Sequence, residues 1–200
     1  MNIASSKPIK AMRSSRAGRA VLAALLCAFG AAALAGSALA ATGNLVKNGS
    51  FEKDGNGDGI PNAWSGSALT SGDKRVCNQS EAGACSFKMV AASPFAFKNI
   101  NQCIGLTGTN AGDEYNFRAW TKSKALDVAG GEATLYVDFY DGGIIIDSDY
   151  YSLPAGTSPW TLRQIPATAA ADYDAICTAL ALDANAGKIW FDKVSLVYVP

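Results

Sequence analysis

Two patterns of apolar residues divide the chain near residue 40. Ala20 to Ala35 is an almost unbroken apolar run, whereas beyond Ala41 the apolar residues fall into short alternating runs bounded by Gly, Asn, Asp, Ser and Pro. Alternation with period two predicts half-buried strands, and turn residues recurring at intervals of roughly ten predict many short ones, the pattern of an all-β, two-sheet antiparallel sandwich. The predicted strands are 44–46, 85–90, 95–103, 114–121, 133–140, 144–146, 161–165, 175–182 and 188–199. Helical periodicity is scarce in this part, and no linker or internal repeat interrupts it.

Two strands alternate clearly enough to assign faces, because successive side chains leave a strand on opposite sides. Tyr115, Phe117 and Ala119, with Leu135, Val137 and Phe139, form the predicted core set. The opposite sides carry Glu114, Asn116, Arg118 and Trp120 on one strand and Tyr136, Asp138 and Tyr140 on the other. Large aromatics among polar groups on an outward face suit a saccharide: rings stack on the C–H faces of a sugar while neighbouring polar groups bond its hydroxyls. Tyr150 and Tyr151 are expected in a loop at the rim. Trp64, Trp160 and Trp190 are expected to hold the fold.

The apolar run is preceded by Lys7, Lys10, Arg13, Arg16 and Arg19 with no acid, and followed by Ala38-Leu39-Ala40. A charged start, a short apolar stretch and an A-x-A site predict a signal peptide over residues 1–40 and a single mature domain over 41–200. The run is too short and alanine-rich for a comfortable bilayer span, so the mature form is expected to lack one and to be secreted or periplasmic. Residues 41–200 hold twelve basic and seventeen acidic side chains, a net of minus five. That balance supplies no overall basic footprint for nucleic acid or for an anionic membrane.

Cys77, Cys85, Cys103 and Cys177 remain after cleavage, an even number bound for an oxidising compartment. Three pairings are open. Cys77 with Cys85 closes a short polar loop and leaves Cys103 with Cys177 to tie distant strands. Zinc is disfavoured, since the chain has no histidine and no C-x-x-C pair.

Asn44-Leu45-Val46-Lys47-Asn48-Gly49-Ser50-Phe51-Glu52, followed by Gly59-Ile60-Pro61-Asn62-Ala63-Trp64, resembles the opening of CenC-type carbohydrate-binding modules (families 4, 9 and 22). Gly112 to Trp120, Val137 to Asp141, Ser158 to Thr161 and Gly187 to Leu196 resemble the later landmarks of those modules, in the same order. The resemblance implies a galactose-binding-like jelly roll whose first and last strands meet at one edge. It also implies a structural calcium, with Glu52 and Asp192 at the positions of the liganding carboxylates and carbonyls completing a shell of six to eight oxygens. A second acidic stretch, Asp54 to Asn62, imitates a calcium loop incompletely, since Ser65 stands where an EF-hand needs a bidentate Glu, and is read as a Gly-rich turn.

These readings converge on a non-catalytic protein that recognises a poly- or oligosaccharide through Trp120, Tyr136, Tyr140, Arg118 and Asp138. The competing reading is a cell-surface, cell-wall or periplasmic structural or adhesion domain that keeps the jelly roll without sugar binding. The absence of histidine removes Ser-His-Asp, Cys-His and His-zinc chemistry. A paired-carboxylate glycosidase would have to draw on Glu132, Asp138, Asp141, Asp147 and Asp149.

Overall fold

The structure is a computed structural model that describes residues 43–92 and 96–200. The predicted signal segment and the first residue of the strand expected from Phe95 lie outside the described residues. The described part is all β, with ten strands: β1 (Ser65–Ser67), β2 (Lys74–Val76), β3 (Ser86–Val90), β4 (Lys98–Gly105), β5 (Glu114–Asp127), β6 (Glu132–Asp141), β7 (Ile144–Ser152), β8 (Gly156–Thr168), β9 (Ala175–Asp183) and β10 (Ala186–Val199). Two five-stranded sheets result, ordered β1-β4-β9-β6-β7 and β2-β3-β10-β5-β8, with every pairing antiparallel. They are called here the β9 sheet and the β10 sheet, after their central strands.

The core set expected from alternation is buried: Tyr115, Phe117, Ala119, Leu135, Val137 and Phe139 are all at most 1% exposed. Tyr115 of the β10 sheet approaches Phe139 of the β9 sheet with ring centroids 6.1 Å apart. Burying such rings from both sheets is the main source of stability, about 25 cal/mol for each Å² of apolar surface removed from water.

Two expectations about the elements are corrected, and two short strands are added to them. Residues 44–46 do not form a strand; instead the Leu45 amide donates to the Leu196 carbonyl, and the Val194 amide to the Gly49 carbonyl. The segment thus lies beside β10 beyond the end of β3, which pairs only with Lys188–Phe191. Tyr150 and Tyr151 stand in β7 rather than in a loop, because Gly142 and Gly143, both at positive φ, close a tight turn and extend the pairing with β6 as far as Ser152. β1 and β2, three residues each, are too short to show a period.

Among the described residues, a charged pair is buried at the edge of the core. Lys98, on the inward side of β4, places its Nζ 2.9 and 2.8 Å from the two carboxylate oxygens of Asp73 and also donates to the Val90 carbonyl. Asp73 accepts further bonds from the amides of Thr70 and Val90 and the Thr70 hydroxyl. Burial pushes the Asp73 carboxyl up, but Lys98 and these donors outweigh it and hold its pKa below the ordinary value. A group so depressed stabilises the fold above its unfolded pKa, near 3.9, and that contribution is lost as pH falls through the folded pKa. Lys98→Met, which strands the carboxylate, is expected to lower the unfolding free energy by about 3–5 kcal/mol in urea titrations at neutral pH. The deficit should shrink below about pH 4 as Asp73 protonates. A deficit that stayed constant with pH would show that the pair is not its source.

Candidate functional site

Because β6, β9 and β4 lie side by side, their register fixes what the β9 sheet turns outward. Tyr136 stands opposite Ala179 and Ala179 opposite Asn101; Asp138 stands opposite Cys177 and Cys177 opposite Cys103. Tyr140 stands opposite Ala175, and Thr134 opposite Ala181 with Asn99 beyond it. The central strand therefore offers alanines and a cysteine outward, while taller side chains rise on both sides. The outcome is a shallow trough whose small-residue floor is accessible at Ala179, while Ala175, Cys177 and Ala181 are covered by the side chains around them.

One wall is aromatic. Tyr150 of β7 pairs with Tyr136 of β6, their ring centroids 6.1 Å apart and tilted by 43°. Tyr150 is 65% exposed, whereas Tyr136 is half-buried and donates its hydroxyl to Glu132 Oε1 at 2.8 Å. Burial, and then the bonded Glu132 carboxylate, push the Tyr136 phenol well above its ordinary pKa. It therefore stays a neutral donor at any physiological pH. Asp138 accepts a bond from the Ser148 hydroxyl, and burial raises its carboxyl above the ordinary range. The other wall is amide-rich: the Asn101 side-chain nitrogen donates to Asn99 Oδ1 at 3.0 Å, and Ser65 and Ser67 of β1 continue the two rows. Ser65 also lines an open cavity of about 750 Å³ together with Gly55, Asn56, Asp58, Ile60 and Asn62. Within that turn Asp54 accepts the amides of Gly57 and Gly59, and Asn56 donates to Asp58.

The five residues assigned to a saccharide site from the sequence do not meet. Tyr136, Asp138 and Tyr140 share the outer face of the β9 sheet, but Trp120 and Arg118 stand on the outer face of the β10 sheet. The physical reason is the connection 128–131, which carries the chain from one sheet to the other. Its Gly131 passes so close to β9 that a Cβ there would lie 2.1 Å from the Asp183 carbonyl oxygen. Both strands keep their inward sides toward the common core, so their outward sides point away from each other. Trp120 is half-buried, with the Lys193 ammonium 5.9 Å from its ring and Lys193 paired to Glu81. Sequence reasoning missed Asn99, Asn101 and the alanine floor, because small or amide side chains signal recognition only once their neighbours are known. Of the carboxylates considered for glycosidase chemistry, Glu132 and Asp138 share the outer face. Asp147 and Asp149 pair with Phe139 and Val137 and so point to the other side of the sheet.

Trp64 is buried in the core and donates its indole N–H to the Asn48 carbonyl, while Trp160 is half-buried. Trp190 is buried too, but on the outer face of the β10 sheet between Lys88 and Lys122 rather than between the sheets.

Both disulfides pair as the loop argument favoured, Cys77 with Cys85 and Cys103 with Cys177. The first closes the loop 77–85, which Glu52 and Asp192 grip from two sides. Glu52 Oε1 accepts the amides of Ala84 and Cys85, and Asp192 accepts those of Glu81, Ala82 and Lys193. Gly83 makes this grip possible, since its φ of +68° suits glycine and a Cβ there would lie 2.3 Å from Glu52 Oε1. These oxygens face N–H hydrogens, not carbonyls, and among the described residues no group of three or more His, Cys, Asp or Glu side chains could hold a metal. Amide donors thus occupy carboxylate oxygens of Glu52 and Asp192 that the resemblance assigns to calcium.

No protein-family model matches the chain, and no curated protein sequence matches it. Solved structures do. The chain is similar over 78% of its length to the enzymatically active domain of bacteriophage CBA120 tailspike protein 4, of which it spans 21%, at 16% identity and a TM-score of 0.61. It is similar, at 17% identity and a TM-score of 0.56, to a family 61 carbohydrate-binding module solved with β-1,4-galactotriose, covering 78% of this chain and 99% of that one. A cyclase from a Fischerella species matches 78% of this chain and 97% of its own, at 13% identity and a TM-score of 0.52. Likeness at this level shows the fold alone, a two-sheet antiparallel jelly-roll sandwich that is found in a carbohydrate-binding module and in enzymes alike.

If amides rather than an ion hold the loop, a chelator leaves the melting temperature unchanged. Asp192→Ala, by stranding three donors, lowers the unfolding free energy by about 3 kcal/mol in urea. A melt that drops several degrees with chelator and recovers with calcium contradicts this account.

Proposed function

We propose that this is an exported, non-catalytic carbohydrate-binding protein that receives a glycan chain in the trough on the outer face of the β9 sheet. The observation that carries the reading is the Tyr136–Tyr150 pair standing beside a small-residue row accessible at Ala179, opposite the Asn99–Asn101 amides. An exposed ring beside a small-residue floor lets a sugar lie against it, and fixed amide, phenol and carboxylate groups supply donors and acceptors for the hydroxyls. Asp138 and Glu132 act here as acceptors. The likeness to a module solved with a galactose oligosaccharide supports the class of ligand.

The non-catalytic part of the reading rests on chemistry. The chain has no histidine. Glu132 is engaged by Tyr136 and Thr134, and Asp138 by Ser148, so the outward carboxylates serve a hydrogen-bond network rather than standing as an acid and a base poised on one bond. Export rests on the leader expected over residues 1–40 and on two disulfides, which suit an oxidising compartment. No helix of the described residues is long and apolar enough to cross a membrane.

A second reading, a surface or adhesion domain without sugar binding, is favoured by one feature. Ile144 and Ile145, at the β6–β7 turn, are 70% and 52% exposed, an apolar tip suited to a protein partner. Retention on insoluble β-1,4-galactan, xylan, glucan, chitin and peptidoglycan separates the two. The glycan reading expects retention on at least one, weakened roughly tenfold in Tyr150→Ala and Tyr136→Ala and unchanged in Trp120→Ala. Retention on none of them, or loss in Trp120→Ala alone, would falsify it.

A further inference from the structure

The opposite face of the sandwich has a different character. In the β10 sheet, Lys74 of β2 stands opposite Lys88 of β3, Lys88 opposite Trp190 of β10, and Trp190 opposite Lys122 of β5. The adjoining row holds Lys188 opposite Lys124. Five of the twelve basic residues in an otherwise acidic stretch thus share one strip. Among the described residues none of the five makes an ion pair; the two pairs present are Lys98–Asp73 and Lys193–Glu81.

The strip is also built to hold its charges in place. Trp190 is only 6% exposed, with the ammonium groups of Lys188 and Lys122 5.4 and 5.9 Å from its ring centre. The ring thus anchors two lysine stems and leaves their charges at the surface. Lys122 is further fixed by a bond to Gln79 Oε1 at 2.7 Å. Burial, then the neighbouring charges of Lys74 and Lys188, lower the Lys88 pKa, with Asp73 opposing them.

We propose that this strip is a second binding surface, on the side of the sandwich away from the trough, that docks an acidic polysaccharide carrying carboxylate groups along its chain. Its dimensions favour a single extended polymer: four adjacent strands span about 14 Å and two rows about 7 Å. Duplex nucleic acid brings roughly eight phosphate charges into 14 Å, more than five lysines match, and the acidic remainder of the domain repels the rest of so large a polyanion. All five cations are lysines, point charges without the planar fork that arginine presents to phosphate. Charge complementarity therefore points to spaced carboxylates on a flexible chain. The proposal does not depend on sugar binding in the trough.

The test uses polygalacturonate as probe in affinity gel electrophoresis, with neutral β-1,4-galactan, a DNA oligonucleotide and anionic phospholipid vesicles as comparison arms. Retardation by polygalacturonate is expected at about 50 mM salt and is lost toward about 500 mM, where charges are screened within a few ångströms. Lys88→Gln/Lys122→Gln/Lys188→Gln is expected to weaken it roughly tenfold. Lys74→Gln/Lys124→Gln, confined to exposed positions, is expected to weaken it severalfold, and so tests the strip without touching the packing around Trp190. Tyr150→Ala is expected to leave polygalacturonate binding unchanged, so failure here is distinguishable from failure of the trough. Absence of retardation at low salt, full binding by both lysine variants, or tighter binding to the DNA or the vesicles overturns the proposal.

Discussion

One interior shared by two sheets governs everything else in this domain. Each strand must give one side to that interior, so a strand's free side faces whichever direction its sheet is turned. Where the chain steps from β5 to β6 through residues 128–131, it changes sheets, and the outward side reverses its heading. Rings and charges that look like one surface in sequence become two surfaces separated by the thickness of the sandwich. The trough and the lysine strip are the two results. Each is a set of alternate residues from neighbouring strands, brought into rows by register and not by sequence proximity.

The loop 77–85 shows how the same fold handles charge when a carboxylate is buried. Asp192 is fully buried, and burial, helped by the Glu81 charge, raises its pKa, with the amides of Ala82, Glu81 and Lys193 working against that rise. A buried carboxylate needs several donors, and a cation is only one way to supply them. Here the backbone of a disulfide-closed loop supplies them, with Glu52 holding the other end. The landmarks that resemble a calcium-binding edge specify where two carboxylates are placed. They do not specify whether ion or amide sits against them, because that choice is made by the conformation of a loop far away in sequence.

Much of the fold was legible because alternation reports burial directly. The inward triplets of β5 and β6 could be named from the order of residues alone, since Phe and Leu at every second position leave no other arrangement that hides them. The short strands β1 and β2 were not legible, as three residues carry no period, and neither was the length of β7, where Ser, Asp and Tyr alternate without a strong apolar signal. At the candidate site, Tyr136, Asp138 and Tyr140 were visible as one outward row, while the membership of Trp120 and Arg118 depended on sheet topology. Asn99, Asn101 and the alanines of β9 were invisible for a different reason. An alanine becomes a groove floor only when its neighbours across the sheet are taller, which is a property of pairing and not of any one strand. Net charge misled in a similar way, for a sum of minus five says nothing about five lysines aligned by register.

The position of the second disulfide bears on how such a trough could select a ligand. Cys103 and Cys177 are register partners on β4 and β9, and Asp138 of β6 is the next residue across in the same row. The covalent link therefore ties the amide-bearing strand to the floor strand at the level of the carboxylate. Hydroxyl recognition depends on donors and acceptors being held at fixed separations before the sugar arrives, since every side chain or strand ordered on binding subtracts from affinity. A wall of Asn99 and Asn101 fastened to the floor, and a phenol fastened to Glu132, reduce that loss on both sides. The ring left exposed in the trough is that of Tyr150, and under the proposed reading it is the ring against which a sugar face would lie.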